Sequence, residues 1–397
     1  MIVTMIGHKG IPSSSGGIER HVEELATELV RFGVRVISFD RAWYVGDTNP
    51  VAGIERRWSH GWHTKNLDAI THTFTAILLA RRDRPDIVHL HGVGPALLAG
   101  FARLMHPRAK IIVTFHCVDR MHAKWGFFAK TMLRIGEWCA CRCAHRTIAV
   151  SDTIGRYCMS AYDTQTATIP NGVRINPSAD ASHLADFGLN PRGYFALVAR
   201  LIPHKNVHVA IEAHSLLAER RPDLAAKHPL VVIGGSSFTD TYASALRDLA
   251  NTYPHVKLVG EQRGDALRAL QSHAVAHAIV SASEGMSIAL LEAMSYRKPL
   301  IVSDIPENTD VTSHDALVVR LNDASSLSRA MENMLDMTDA ERARMGDALY
   351  DRVRTHHHWG SIAEQTFHVY QEILASTALA LHAVDVLNRK TVLTFWL

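Results

Sequence analysis

Short apolar runs alternate with longer segments of helical period along most of the chain. In the first half, 2–6, 34–39, 86–91, 111–116 and 146–151 read as strands, with helices at 18–32 and 67–81 between them. Runs this continuously apolar suit strands covered on both faces, as in a parallel sheet flanked by helices. The rhythm breaks across 174–192, where Asn, Pro, Ser, Asp and Gly crowd together and a linker is expected. It then resumes, with strands at 194–200, 230–234, 256–260, 277–283 and 299–303 and helices at 206–219, 240–252, 264–272, 286–296 and 325–336. The pattern predicts an α/β protein of two Rossmann-like, doubly wound parallel-sheet domains, 1–175 and 190–355, and a last helix over 361–380. Each sheet should take ligands at the carboxyl ends of its strands, and a central cleft between two such domains is the expected active site.

At 397 residues the chain has room for two cores. Its 47% apolar and 20% charged content is that of an ordinary globular protein. Lysines and arginines number 42 against 39 acidic residues, so the net charge of +3 gives no electrostatic case for nucleic acid. The opening Met-Ile-Val-Thr-Met-Ile-Gly lacks a positive leader and reads as a first strand instead of a signal peptide. No run of about 18 uninterrupted apolar residues occurs, so no membrane span is expected. Five cysteines, an odd number without an even framework, suggest reduced thiols and a cytoplasmic setting. The 25 histidines are scattered, apart from the run at 356–358, and lack metal-ligand spacing backed by cysteine or carboxylate, so no metal is expected. The tail 381–397 ends very apolar; a packed or disordered end is its plainer reading, and peripheral contact with the inner face of a membrane is the other.

Most of the candidate chemistry lies in Ser-Glu-Gly-Met-Ser-Ile-Ala-Leu-Leu-Glu-Ala-Met (283–294). Glu284 should fall at a strand-to-helix turn, beside backbone N–H groups that attract anions and hydroxyls. Glu292 follows about two turns on, roughly 12 Å away at the helical rise. That separation suits two parts of one elongated ligand and is too long for a shared proton. A capping glutamate plus a solvated one is the plain alternative; it sits poorly with Glu292 among Leu290, Leu291, Ala293 and Met294. Arg200 and Lys205, on a loop at a strand's carboxyl end, are able to clamp a diphosphate, arginine as a fork and lysine as a point charge. Loop cations are otherwise simply solvated. The first βα turn, 7–21, is too long for a dinucleotide fingerprint, which disfavours hydride transfer. Its Gly16-Gly17 pair would let backbone amides approach a phosphate or a sugar, or serve as a flexible turn. His116 closes a strand with an imidazole that serves a cleft or a structural hydrogen bond.

Taken together, the chain resembles the retaining, nucleotide-sugar-dependent glycosyltransferases of the GT-B kind, family 4 in its bacterial polysaccharide branch. The Glu284-x7-Glu292 spacing is similar to that family's motif, and Arg200-x4-Lys205 to its diphosphate site. Gly-His-Lys-Gly-Ile-Pro (7–12) with Gly-Gly-Ile-Glu-Arg-His-Val-Glu-Glu-Leu-Ala (16–26) resembles its N-terminal wording. The resemblance implies that Glu284 binds sugar hydroxyls, Glu292 the ribose, and His116 the region of the anomeric carbon or hydroxymethyl. It places Gly16, Gly17, Arg200, Lys205, Gly285, Met286 and Ser287 around the donor diphosphate. It implies no metal cofactor, a nucleoside-diphosphate sugar as co-substrate, and a glycan or polyprenyl-linked acceptor met by 119–126. Ile-Pro-Asn-Gly-Val (169–173) is a further hallmark, expected as a hinge-side wall, and the last helix is expected to brace the first domain. Departures are Asn206 for a usual glycine, Met286-Ser287 for Phe-Gly, and Tyr296-Arg297-Lys298-Pro299 where the family has Ala-x-Gly-x-Pro. Two alternatives stand beside this reading. A nucleotide-sugar epimerase would need an acid/base pair that no signature supplies, and a non-enzymatic sugar-binding protein would have no use for a diphosphate clamp.

Overall fold

The computed structural model describes residues 1–14, 16–64, 67–121, 126–176, 178–236 and 240–394, with side chains described up to Ser376. Two compact units emerge, one from 1–121, 126–170 and 360–394, the other from 171–359.

The first unit is built on strands β1 (Ile2–Ile6), β2 (Arg35–Arg41), β3 (Glu55–Ser59), β4 (Ile87–His91), β5 (Lys110–Phe115), β6 (Arg146–Ala149) and β7 (Ala167–Thr168). They form one parallel sheet in the order β3-β2-β1-β4-β5-β6-β7. The second unit holds β8 (Phe195–Val198), β9 (Leu230–Ile233), β10 (Val256–Leu258), β11 (Ala276–Ile279), β12 (Leu300–Ser303) and β13 (Leu317–Val319). Its sheet, also parallel, runs β10-β9-β8-β11-β12-β13. In both, winding reverses beside the first strand, between β1 and β4 and between β8 and β11. Those are the switch points where doubly wound sheets bind ligands.

The strands missing from the sequence reading, β3, β7 and β13, all lie at or beside sheet edges. Edge strands need no apolar run. β3 reads Glu-Arg-Arg-Trp-Ser and is anchored by charge: buried Arg56 donates to Asp40 on β2 at 2.8 Å. Helices Phe127–Arg142 and Asp339–His356 also escaped the pattern, the latter because only Gly346, Leu349 and Val353 of its residues are buried. Within the expected linker, 178–192 is folded onto the second unit: it carries the short 3-10 helix Ala181–Phe187, and Leu184 and Leu189 enter that unit's core.

Two departures from the resembled family now have a physical account. Asn206 (φ 52°) and Arg297 (φ 56°) both adopt the left-handed backbone a glycine would take. Asn206 is the milder case, because its buried amide donates to Val280 O at 3.0 Å and Asn322 Oδ1 at 2.8 Å. Arg297 is held by Asp347 at 2.6 Å and by the Tyr350 ring, 3.8 Å from its guanidinium carbon.

The last helix, Trp359–Thr394, continues well past the expected end at 380. Within the first unit, Tyr370 is fully buried with its hydroxyl 2.6 Å from His89 Nδ1, and Phe367 stacks on Phe32. Side chains of the apolar tail lie outside the described residues. Among the described residues no helix is long and apolar enough to cross a membrane.

Candidate functional site

At the switch point of the second unit, β8 leads through Arg200 into the turn Pro203–Lys205, and β11 leads into the loop 280–287. β11 ends earlier than its apolar run suggests, because the following residues bond sideways. Ala282 N donates to His204 O at 2.7 Å, and Ser303 Oγ donates to Ser281 O at 2.6 Å. Glu284 therefore sits in an ordered loop between β11 and the helix Ile288–Ser295. The helix Ile288–Ser295 starts at Ser287, whose hydroxyl accepts from Leu290 N at 3.3 Å. That cap is what serine adds where the resembled family has glycine.

The loops bring Lys205 and Glu284 into direct ion contact, with their side chains 14% and 11% exposed. Pairing a lysine and a carboxylate so near burial lowers the cost of holding either charge there. A small hollow beside them is lined by Val198, Ala199, Ser281 and Ser287. Arg200 is exposed, and Gly285 and Met286 complete the loop. Met286 is held from behind: Asn171 Nδ2 donates to Met286 O at 3.0 Å, and Asn171 O accepts from His357 Nδ1 at 3.0 Å. Gly172 is required there, since a Cβ would lie 2.6 Å from the Trp359 ring. Glu292 is half-buried on the same helix and accepts from Gln271 Nε2 at 3.2 Å, a partner the sequence did not announce. Glu307, another unanticipated acid, has its carboxyl pushed up by burial and by the charges of Glu284 and Asp310.

The strand ends of the first unit carry different chemistry. Gly16 caps the helix Gly17–Arg31 at φ 101°, and a Cβ there would lie 2.0 Å from Glu19 Oε2. The glycine pair thus has a buried carboxylate beside it, whose Oε1 also accepts from Lys9 N at 3.2 Å. His116 is buried, its Nε2 3.4 Å from His91 Nδ1 and its ring packed edge-on against His21, with centroids 4.7 Å apart. His89 lies behind, between Tyr370 and Thr114, and His8 bonds Ser38 at 2.7 Å and Asp40 at 3.3 Å. Burial first, and neighbouring imidazoles second, hold His91 and His116 well below the usual histidine range. Burial alone would raise Asp40, but His8, Ser38 and Arg56 outweigh it and keep the carboxyl below its ordinary value. The histidines that look scattered in sequence are thus gathered by topology, since His91 and His116 end adjacent strands. Within the expected acceptor segment, 122–125 lie outside the described residues.

The first unit also exposes an apolar and cationic face. The helix Phe127–Arg142 leaves Phe127 (89%), Phe128 (78%), Ile135 and Trp138 open to solvent beside Lys130 and Arg134. Leu104 is 71% exposed on the helix Ala99–Met105, whose Phe101 stacks on the half-exposed Phe74.

Comparison with known proteins agrees with this architecture. Residues 15–176 match Glycosyltransferase Family 4, and residues 186–352 match Glycosyl transferases group 1. The chain is 26% identical over 272 residues (65% of this chain, 68% of the relative) to an Escherichia coli UDP-Gal:alpha-D-GlcNAc-diphosphoundecaprenol alpha-1,3-galactosyltransferase. It is 25% identical over 295 residues (72% and 71%) to the phosphatidyl-myo-inositol mannosyltransferase of Mycolicibacterium smegmatis. In fold it is similar to Anabaena HepE, solved in complex with UDP and glucose, at a TM-score of 0.76 and 17% identity over 94% of this chain and 100% of that one. The chain is a glycosyltransferase with the two α/β domains of the GT-B fold, a family 4 domain followed by a group 1 domain.

Proposed function

We propose that the protein is a retaining glycosyltransferase that moves a sugar from a nucleoside-diphosphate donor to a lipid-linked glycan or polyprenyl-linked acceptor. The observation that carries this reading is the Lys205–Glu284 pair at the switch point of the second unit. Lys205 and the exposed Arg200 are the cations for the diphosphate, with the amides of Gly285, Met286 and Ser287 in support. Glu284 accepts from sugar hydroxyls and Glu292 from the ribose hydroxyls.

The C1–O bond to the diphosphate breaks, and the acceptor oxygen bonds to C1 on the same face. The departing phosphate oxygen takes the acceptor proton. Preorganised cations and amides offset the charge that develops as the diphosphate leaves, so no metal cofactor is required. Relatives named for diphosphoundecaprenol- and phosphatidylinositol-linked acceptors support a lipid acceptor here. The exposed face of Phe127, Phe128 and Trp138 with Lys130 and Arg134 suits an anionic membrane surface, a more specific candidate than the apolar tail.

The test is to screen UDP-, GDP-, ADP- and dTDP-sugars by thermal shift, since a ligand of the folded state raises its apparent stability. The donor that binds is then supplied with polyprenyl-diphosphate-linked acceptors in excess EDTA. The expected product keeps the donor's anomeric configuration by proton NMR. An inverted product overturns the retaining mechanism; loss of activity on chelation, restored by magnesium or manganese, overturns metal independence.

A further inference from the structure

We propose that His21, His91 and His116 form a site for one divalent transition-metal ion of the zinc class in the first unit. The three residues come from three elements: the helix after β1, the last position of β4 and the position after β5. Their ligating nitrogens lie within 4.8 Å of one another, and all three residues are buried. His91 Nδ1 and His116 Nε2 are 3.4 Å apart. That is long for an N–H···N hydrogen bond and close to the roughly 3.3 Å edge of a tetrahedron with Zn–N bonds of about 2.0–2.1 Å. His91 Nε2 is buried with no partner among the described residues, so no hydrogen bond at that nitrogen ties the ring to its present orientation and either of its nitrogens can serve as the ligand.

The surroundings are those of a supported site. His89, with both ring nitrogens engaged by Tyr370 and Thr114, packs against His91 with the rings tilted by 34° and their centroids 4.1 Å apart. Its two hydrogen bonds fix the His89 ring, which limits how far the His91 ring can turn. Burial favours the neutral imidazole, which is the ligating form. A set of nitrogen donors alone selects zinc, cobalt, nickel or copper over magnesium, calcium or manganese. Three histidines leave a fourth position for an oxygen donor. This ion is distinct from the magnesium or manganese that would serve a diphosphate, and the site rests on none of the donor-side assignments. Where the His116 imidazole takes part in transfer, bound zinc withdraws it and slows the reaction.

The experiment titrates metal-stripped full-length protein with Co²⁺, followed by its visible ligand-field bands, and then displaces Co²⁺ with Zn²⁺. One equivalent with a tetrahedral spectrum is expected, and no comparable binding of Mg²⁺. Loss of an outer partner typically costs about 10–100-fold in metal affinity, so His21→Asn and His116→Asn should each cost at least that. The double variant His356→Asn/His358→Asn, in the exposed histidine run, should bind as wild type. Melting in EDTA establishes that each variant is folded, and either of the two ligand variants suffices alone. Absence of saturable one-equivalent binding overturns the site, as does binding lost in the 356/358 variant but kept in the others. Because spectrum and stoichiometry are read without substrate, failure here is separable from failure of the transferase reading, in which only inhibition by zinc would be missing.

Discussion

The two sheets are wound alike, yet the residues at their strand ends have little in common. β4 ends in His91 and β5 leads into His116, buried rings packed on one another. β8 and β11 lead into an exposed arginine and a lysine–glutamate pair that retains some contact with solvent. Buried imidazoles discharge by losing a proton; a lysine or a glutamate that must stay charged needs a partner or water. One winding thus supports a neutral hydrogen-bonding surface in one unit and an ionic one in the other. Where the backbone is shared, the loops decide the chemistry.

The largest expected effect that separates the units is acid sensitivity in metal-free protein. His72 and His89, both in the first unit, are held down to about 3, burial being the main cause. A base whose folded pKa is depressed contributes no penalty above its unfolded value near 6.5. It costs stability as pH falls from there toward the folded value. At pH 5 the cost is about 2 kcal/mol per imidazole. His277 and His214 of the second unit act in the same direction, the former held at about 4, but among the described residues fewer histidines there are so displaced. Hydrogen exchange followed by mass spectrometry from pH 7 to 5 should therefore show protection lost first around β4 and β5. Earlier loss around β8 and β11 would reverse the comparison.

The sheets were legible because their central strands are continuous apolar runs buried on both faces, a pattern that survives without any neighbour. β3 was not, since its stability comes from Arg56 meeting Asp40, a pairing visible only once β2 and β3 are adjacent. The ionic site was half-legible in the same sense. Arg200, Lys205, Glu284 and Glu292 stood out by spacing, but Lys205 contacts Glu284 across 79 residues and Gln271 reaches Glu292 from another helix. The histidine cluster was illegible: His21, His91 and His116 are too far apart in sequence for any ligand spacing, and only the adjacency of β4 and β5 with the first helix collects them.

The next effect divides the ionic site itself. Glu284→Gln keeps the shape but removes the charge that meets the sugar, so turnover should fall by about 100-fold or more, the scale of a lost transition-state contact. Nucleotide affinity should be spared, because Lys205 is released from its partner and remains free for phosphate. Glu292→Gln should instead weaken even the free nucleotide. Paired kinetics and calorimetry on both variants decide this, and the reverse pattern would show the two roles exchanged.

The smallest effect tests whether the ionic strand ends are a phosphate site at all. A charge-assisted hydrogen bond contributes about 1.5–3 kcal/mol, so losing one should weaken nucleoside-diphosphate binding roughly tenfold or more. Lys205→Ala should exceed Arg200→Ala, because it also leaves the Glu284 carboxylate unpaired beside the incoming phosphates. Lys205→Arg should recover part of the loss, since it restores charge but not the compact ammonium that fits between Glu284 and the loop. Arg200→Ala should leave the melting temperature nearly unchanged, as Arg200 is exposed, whereas Lys205→Ala should lower it, because the mostly buried Glu284 carboxylate is left without its cation. Titration of UDP and GDP by calorimetry reads the result directly. Unchanged affinity in both alanine variants would mean that the second unit's charges serve each other and not a diphosphate, leaving the contrast between the two sets of strand ends without a functional meaning.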